Sequence, residues 1–441
     1  MKNKLEFWMN HRLEIAWDKV VPALVLFCAL SVVSLYASPL SSEMPLVQKA
    51  KEAKKDENVE VTKTFQVTKG GTLEVVTDMG EIRVSTYDKN EVTVSVSGYD
   101  EEDVDKIKIT QLGNTVRVTF RVRRNINGWG RGGNDVRFDV KIPSQFNLDL
   151  RTSAGDIELS GAIIGEVKLN TSGGDLLGSD ITGNIDASTS GGDIRFGTVK
   201  GNGYIKTSGG DISLSDVGGD LEVKTAGGTI RVNNIAKTLR AKTSGGDIQI
   251  GDVGGEATLS TAGGDLRVGK VNGRASLSTA GGNIEVRGAQ GYVNAKTSGG
   301  SLRLENITGS IDGKTAGGDI YAELTPESSG RTMLASSAGN IELFVTENAK
   351  ANIQAKIRVA SFGNYYNWGR RRSDRSKKDS GFNIHSDFPA TTQNVSGEEE
   401  STSNEIFESY VLGGGGHIIN LETVMGNIYI RKARKSSSSG K

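Results

Sequence analysis

Cysteine is almost missing from this 441-residue chain: Cys28 stands alone, so no intramolecular disulfide can form. The three histidines, His11, His385 and His417, lie far apart. With a single cysteine they exclude a Cys/His zinc site of ordinary spacing. Proline supplies only 6 residues and aromatics 6% of the chain, a profile that disfavours an α/β enzyme. Charge of one sign is also lacking, since 53 Lys and Arg balance 53 Asp and Glu. The whole-chain attraction of a dedicated nucleic-acid or anionic-membrane binder is therefore absent, and no nucleic-acid partner is expected. No motif for a cofactor or a catalytic metal is found, so none is assigned.

What the chain has in excess is glycine, 58 residues, against an ordinary share of roughly 7%. These glycines are periodic. The motif T-[S/A]-G-G recurs with its second glycine at Gly174, Gly192, Gly210, Gly228, Gly246, Gly264, Gly282, Gly300 and Gly318, at intervals of 18 residues throughout. Gly155 leads by 19 and Gly339 trails by 21, as looser end coils would. A short fixed period of this kind is the signature of a solenoid.

Within each unit, apolar and polar residues alternate between glycine turns, as in Asp193-Ile194-Arg195-Phe196. Period-2 alternation predicts two short strands per coil and two flat parallel sheets over a thin core. Alignment stacks Leu176, Ile194, Ile212, Ile230 and Ile248 in one column, Phe196, Leu214, Val232 and Ile250 in a second, and Ile181, Val199, Val217 and Ile235 in a third. One coil buries too few side chains to offset its own chain entropy, so stability must come from stacking on neighbours. The repeated Gly-Gly is expected at positive-φ turns.

The flanks set the domain plan. Residues 1–19 carry Lys2, Lys4, Arg12 and Lys19, and residues 20–37 are an uncharged run of 18 with no further basic residue before Lys49. That length and asymmetry predict a transmembrane anchor with a cytoplasmic N-terminus and the rest of the chain extracytoplasmic. A cleaved signal and a buried helix are the alternatives. Phe27 before Cys28 is too bulky for a lipoprotein acceptor site. Residues 38–61 form a charged spacer and 62–150 an antiparallel β cap over the first coil's open edge. The repeats fill 151–360, a polar irregular insertion 361–412, a terminal coil 413–432 and a basic, Ser-rich tail 433–441.

With these units, the opening Gly70-Gly71-Thr72-Leu73-Glu74-Val75 and the closing Gly426-Asn427-Ile428-Tyr429-Ile430, the chain resembles the bacterial "putative adhesin" family. That family is a domain of unknown function built on β-strand repeats and found in membrane-linked envelope proteins. The resemblance implies an all-β solenoid outside the cytoplasm. It transfers no residue motif for an activity.

Candidate chemistry is weighed column by column. Asp175, Asp193, Asp211, Asp247, Asp265 and Asp319 share one column, broken by Thr229, Asn283 and Ser301. Calcium β-rolls use a different nonapeptide spacing, so a turn-capping role is favoured over metal. The unbroken threonine column from Thr171 to Thr315 reads as a hydroxyl ladder closing the turn rather than an ice-binding face. Gly128 to Gly133 lacks the lysine and the strand-to-helix context of a phosphate loop. Exposed aromatics beside arginine have the composition of contact surfaces, against the plainer reading of solvated loops whose aromatics fold back on the rod, and two loop tips carry them: Trp129 and Arg131, then Tyr365, Tyr366 and Trp368 with Arg370, Arg371 and Arg372. These are the candidate partner contacts, for an envelope protein or a glycan.

The leading expectation is a non-enzymatic, membrane-anchored extracytoplasmic β-solenoid acting as an adhesin-like or envelope interaction module, with the bilayer contacted through residues 20–37. The alternatives are a bactofilin-like polymerising scaffold, which needs bare terminal coils, and a polysaccharide-acting β-helix enzyme, which needs convergent acids that the array lacks. The sequence assigns no oligomeric state.

Overall fold

Strict alternation between glycine corners leaves each segment one apolar face, and the only way to bury that face repeatedly is to stack copies of it. The computed structural model describes residues 60–99, 101–121, 136–358, 381–395 and 405–433, all inside the body Glu57–Lys441. Two long parallel ladders run through the array, offset by 18 residues per coil. One stacks Val167–Asn170, Ile185–Ser188, Gly203–Lys206 and Leu221–Lys224. The other stacks Leu176–Gly178, Ile194–Phe196, Ile212–Val217 and Ile230–Ile235. Two long strands, Ile284–Lys296 and Leu302–Thr315, run round a corner and belong to both ladders.

The coil has a third side. Ile181, Val199 and Val217 are joined by parallel bridges, and Val217 pairs with Ile235, Ile235 with Val253, and Val253 with Val271. Two strands per coil therefore undercounts the geometry: a single inward residue, held between two polar corners, is enough to make a short third face. Its side chains are as buried as those of the strands, with Val199 at 0% and Val253 at 1%. Full burial of a Val or Ile contributes about 1.5–3 kcal/mol, so the third column stabilises the array in spite of its minimal hydrogen bonding.

Glycine pairs close a corner, for a reason other than the expected one. The pair glycines of the array do not lie among the positive-φ residues of the described chain. Instead, a Cβ at the second glycine would meet the previous coil's backbone, 2.0 Å from Gly174 O at Gly192 and 2.1 Å from Gly228 O at Gly246. Close approach of stacked backbones, rather than left-handed geometry, selects glycine here. Positive φ is found at other turns, such as Gly70 and Gly113, and at one non-glycine, Asn306 at +50°. Asn306 lies at the register shift between Leu304 and Ile307, where the array takes up an irregularity.

Both ends depart from chain order. At the N-terminal end, Gly71–Thr77 pairs in parallel with both Thr115–Phe120 and Phe146–Thr152, and Glu81–Tyr87 with both Arg137–Pro143 and Ile157–Ser160. An early coil thus sits between two later ones. The expected antiparallel cap is confined to the outer strands: Ile107–Leu112 on Thr115–Phe120, Glu91–Ser97 on Arg137–Pro143, and Val61–Gln66 on Glu91–Ser97.

The C-terminal end is built the same way. His417–Thr423 lies between Arg331–Ser336 and Ala351–Arg358, in parallel with both. Its companion Ile428–Lys432 lies between Ile341–Val345 and Ile384–Ser386. The coil within residues 413–432 is therefore last in sequence but not in space. The stretch expected to be irregular supplies strands Ile384–Ser386, Thr392–Val395 and Glu405–Leu412, the last antiparallel to Ala351–Arg358. No helix among the described residues is long and apolar enough to cross a membrane, and residues 20–37 lie outside them.

Candidate functional site

The contact residues expected from the sequence, Trp129, Arg131, Tyr365, Tyr366, Trp368, Arg370, Arg371 and Arg372, all lie outside the described residues. The described surface has its own chemistry, which begins at the corners.

The threonine column is a bridge between coils. Thr243 Oγ1 donates to Gly228 O at 2.9 Å and accepts from Gly246 N at 3.3 Å, and this pair of bonds repeats from Thr189 to Thr315. Ser336 takes the same role where the period stretches. The aspartate column is likewise spent on backbone. Asp193 Oδ1 accepts the N–H of Asp211 at 2.8 Å, and Asp211 that of Thr229 at 2.7 Å. Asn283 serves as well as aspartate, accepting from Ser301 N at 2.9 Å. An amide does the same work as a carboxylate here, which identifies the column as a backbone cap. A parallel ladder occupies another corner, where the Asp220 carboxyl is held below its ordinary range, chiefly by the backbone N–H of Thr238.

Just beyond this aspartate column, on the outer face of the second ladder, an arginine stands at every second coil. Arg195, Ser213, Arg231, Gln249, Arg267, Glu285 and Arg303 are consecutive register neighbours. Three of the four arginines have a close carboxylate: Arg195 with Asp193 at 2.5 Å, Arg267 with Asp265 at 2.7 Å, and Arg303 with Glu305 at 2.5 Å. Arg231 is different. The residue two positions before it is Thr229, where the aspartate column is broken, and its nearest carboxylate is Asp211 of the preceding coil at 3.9 Å.

Arg231 borders a groove of about 590 Å³. The column Asn233, Gly251, Gly269 and Arg287 explains the depression, because two successive coils have no side chain at that position. Gly251 could not carry one: its Cβ would lie 1.8 Å from Asn233 O. Arg267, Lys270 and Arg287 also line the groove, and among the described residues its one acidic lining residue is Asp252, whose Oδ1 accepts Lys270 N at 2.7 Å. Glu285 holds Arg287 at 3.3 Å and approaches Arg267 at 3.7 Å. Lys270 makes no ion pair among the described residues. A second groove, of about 630 Å³, runs along the short third face beside it and shares Asn234, Asp252 and Lys270.

Further along the same face, aromatics replace this pattern. Arg303 lies 4.6 Å over the Tyr321 ring, Tyr321 packs 5.2 Å from Phe344, and His385 stacks on Tyr429 at 5.1 Å and 11°. Burial and a 2.5 Å bond to Glu323 push the Tyr321 phenol up to about 12. Sequence reasoning missed this cluster because its members come from segments up to 108 positions apart, Tyr321 to Tyr429. The groove had a visible signal, the break in the aspartate column at Thr229.

Among the described residues no group of His, Cys, Asp and Glu is placed to hold a metal ion. Tyr410 and His417 are buried in the C-terminal end: burial and the Glu408 side chain raise the tyrosine, and burial lowers the histidine.

Solved structures similar to this chain include a "putative cell adhesion protein" from Clostridium sporogenes ATCC 15579, at 8% identity, covering 86% of this chain and 100% of that one, with a TM-score of 0.17. A "putative adhesin" from Parabacteroides distasonis ATCC 8503 shares 11% identity over 56% of this chain and 98% of that one, TM-score 0.28. Another from Bacteroides fragilis NCTC 9343 shares 15% over 57% and 96%, TM-score 0.26. No curated protein matches. The profile of one family, Toastrack DUF4097, matches residues 47–251 and again 219–363, overlapping as a repeat allows. Together the two matches span most of the array and the strands before it, and the chain belongs to the Toastrack DUF4097 family.

Proposed function

We propose that this protein is a non-enzymatic interaction module of the bacterial envelope, an adhesin-like β-solenoid held at the membrane through residues 20–37 and facing outward. The observation that carries the reading is the outer face of the second ladder, where a rigid backbone array presents arginines, amides and aromatics at fixed spacing. Preorganised side chains on stacked strands lose little freedom on contact, which favours recognition. The carboxylates on this face are tied to backbone N–H groups or arginines, which suits recognition better than proton transfer. The closure of both ends by antiparallel strands supports a discrete module over a polymerising scaffold. The words "adhesin" and "cell adhesion protein" attached to similar structures agree with this reading.

The test is protease accessibility of a C-terminal tag in intact cells and spheroplasts. Digestion from outside the inner membrane, with an N-terminal fragment left in the membrane, is the expected result. A membrane-bound tag that stays protected in spheroplasts would sink the proposal.

A further inference from the structure

We infer that the groove between Arg231 and Arg287 is a binding site for an acidic polysaccharide bearing carboxylates. The inference rests on the interaction-module reading and names the ligand class for it. Charge complementarity points to an anion. Arg231 is the one arginine of its column with no carboxylate closer than 3.9 Å, and Lys270, which lines the same groove, makes no ion pair among the described residues. A guanidinium presents a planar fork of donors that matches a carboxylate.

Hydroxyl-bearing character follows from the amides. Gln249 lies in register between Arg231 and Arg267, and Asn233 lines the groove beside Gly251. Across these three coils the amide of Gln249 thus stands between two cations, Arg231 and Arg267, which are two coils apart and separated by about 9.6 Å. A linear polymer with a charge on each repeating unit fits an open groove of this kind. Other ligand classes fit less well. Among the described residues the groove lining contains no aromatic side chain, whereas single-stranded nucleic acid binds by stacking as well as charge. The chain carries no net charge to attract a duplex.

The substitution that removes the proposed contact is Arg231→Gln. Arg195→Gln, one repeat pair away and already held by Asp193, is the control on the same face. The probe is de-esterified polygalacturonate, compared with the fully methyl-esterified polymer and with polyphosphate, in titrations of the full-length protein. The wild type is expected to prefer the acid form; Arg231→Gln weakens it about tenfold, and Arg195→Gln stays within about threefold. Arg231→Lys should recover part of the loss. Equal binding of acid and ester, equal loss in both variants, or tighter binding of polyphosphate would overturn the assignment. A parallel measurement with isolated envelope fractions separates the two levels. Binding of envelope without binding of polygalacturonate overturns the ligand class alone, and binding of neither overturns the module reading as well.

Discussion

A Cβ on Gly246 would stand 2.1 Å from the carbonyl oxygen of Gly228, one coil below, whereas a Cβ on its neighbour Gly245 would stand 3.4 Å from that of Gly227. The two glycines of each pair are therefore under different constraints. Gly246→Ala is expected to destabilise the protein by about 3 kcal/mol or more, because stacked backbones cannot separate without breaking ladder bonds. Gly245→Ala stays within about 1 kcal/mol of wild type. Denaturant unfolding of both variants checks the contrast, and equal effects would show that the stacking distance is not the constraint.

The threonine column makes a second prediction. Thr243→Val keeps the shape but leaves Gly246 N–H and Gly228 C=O without the hydroxyl that joins them. A loss of about 1–3 kcal/mol follows for unsatisfied buried groups. Thr243→Ser, which retains the hydroxyl, should lose clearly less, as the natural Ser336 indicates. If serine and valine proved equally damaging, packing rather than the hydrogen bonds would be the cause.

His417 gives the C-terminal end a pH dependence. Its ring is fully buried, with Nε2 2.9 Å from Thr332 Oγ1 and Nδ1 without a partner of ordinary geometry. Burial lowers its pKa, and the nearby Glu327 opposes this in part. The unfolded chain, with an ordinary value of about 6.5, then takes up a proton that the folded coil refuses. The contribution is present above about pH 6.5 and is lost progressively as pH falls below it. Opening of His417–Thr423, read from hydrogen exchange divided by the intrinsic exchange rate at each pH, should increase between pH 7.5 and pH 5 in the wild type. His417→Gln should remove that increment, and an unchanged pH response in the variant would assign it to other groups.

Truncation tests the threading of the C-terminal end. A chain ending at Leu412 lacks the coil that separates Arg331–Ser336 from Ala351–Arg358. Hydrogen exchange should show lost protection in Ala351–Arg358 and Glu405–Leu412 as well, although both segments are still present. Retained protection there would mean that the outer coil docks directly on the array.

Much of this was legible in the residues. The period, the burial columns and the hydroxyl role of Thr171 to Thr315 follow from local alternation and spacing, and the structure repeats them coil after coil. The aspartate column was readable as a cap because Thr229, Asn283 and Ser301 interrupt it without disturbing the period. What that interruption does to Arg231 was not readable. It depends on Asp211 lying one coil away and on two glycines opening the surface beside it, and both are relations across the stack.

The amino-acid sequence by itself determined the all-β solenoid, its 18-residue coil and the residues facing inward, because those features depend on alternation and turn chemistry within a few positions. The tertiary structure alone decided the order of coils at each end and the placement of charge on the outer face. The physical reason is that Val, Ile and Leu columns are interchangeable as stacking partners. Any coil can pair in parallel with any other of matching pattern, so position in the stack is selected by end closure and packing rather than by position in the chain.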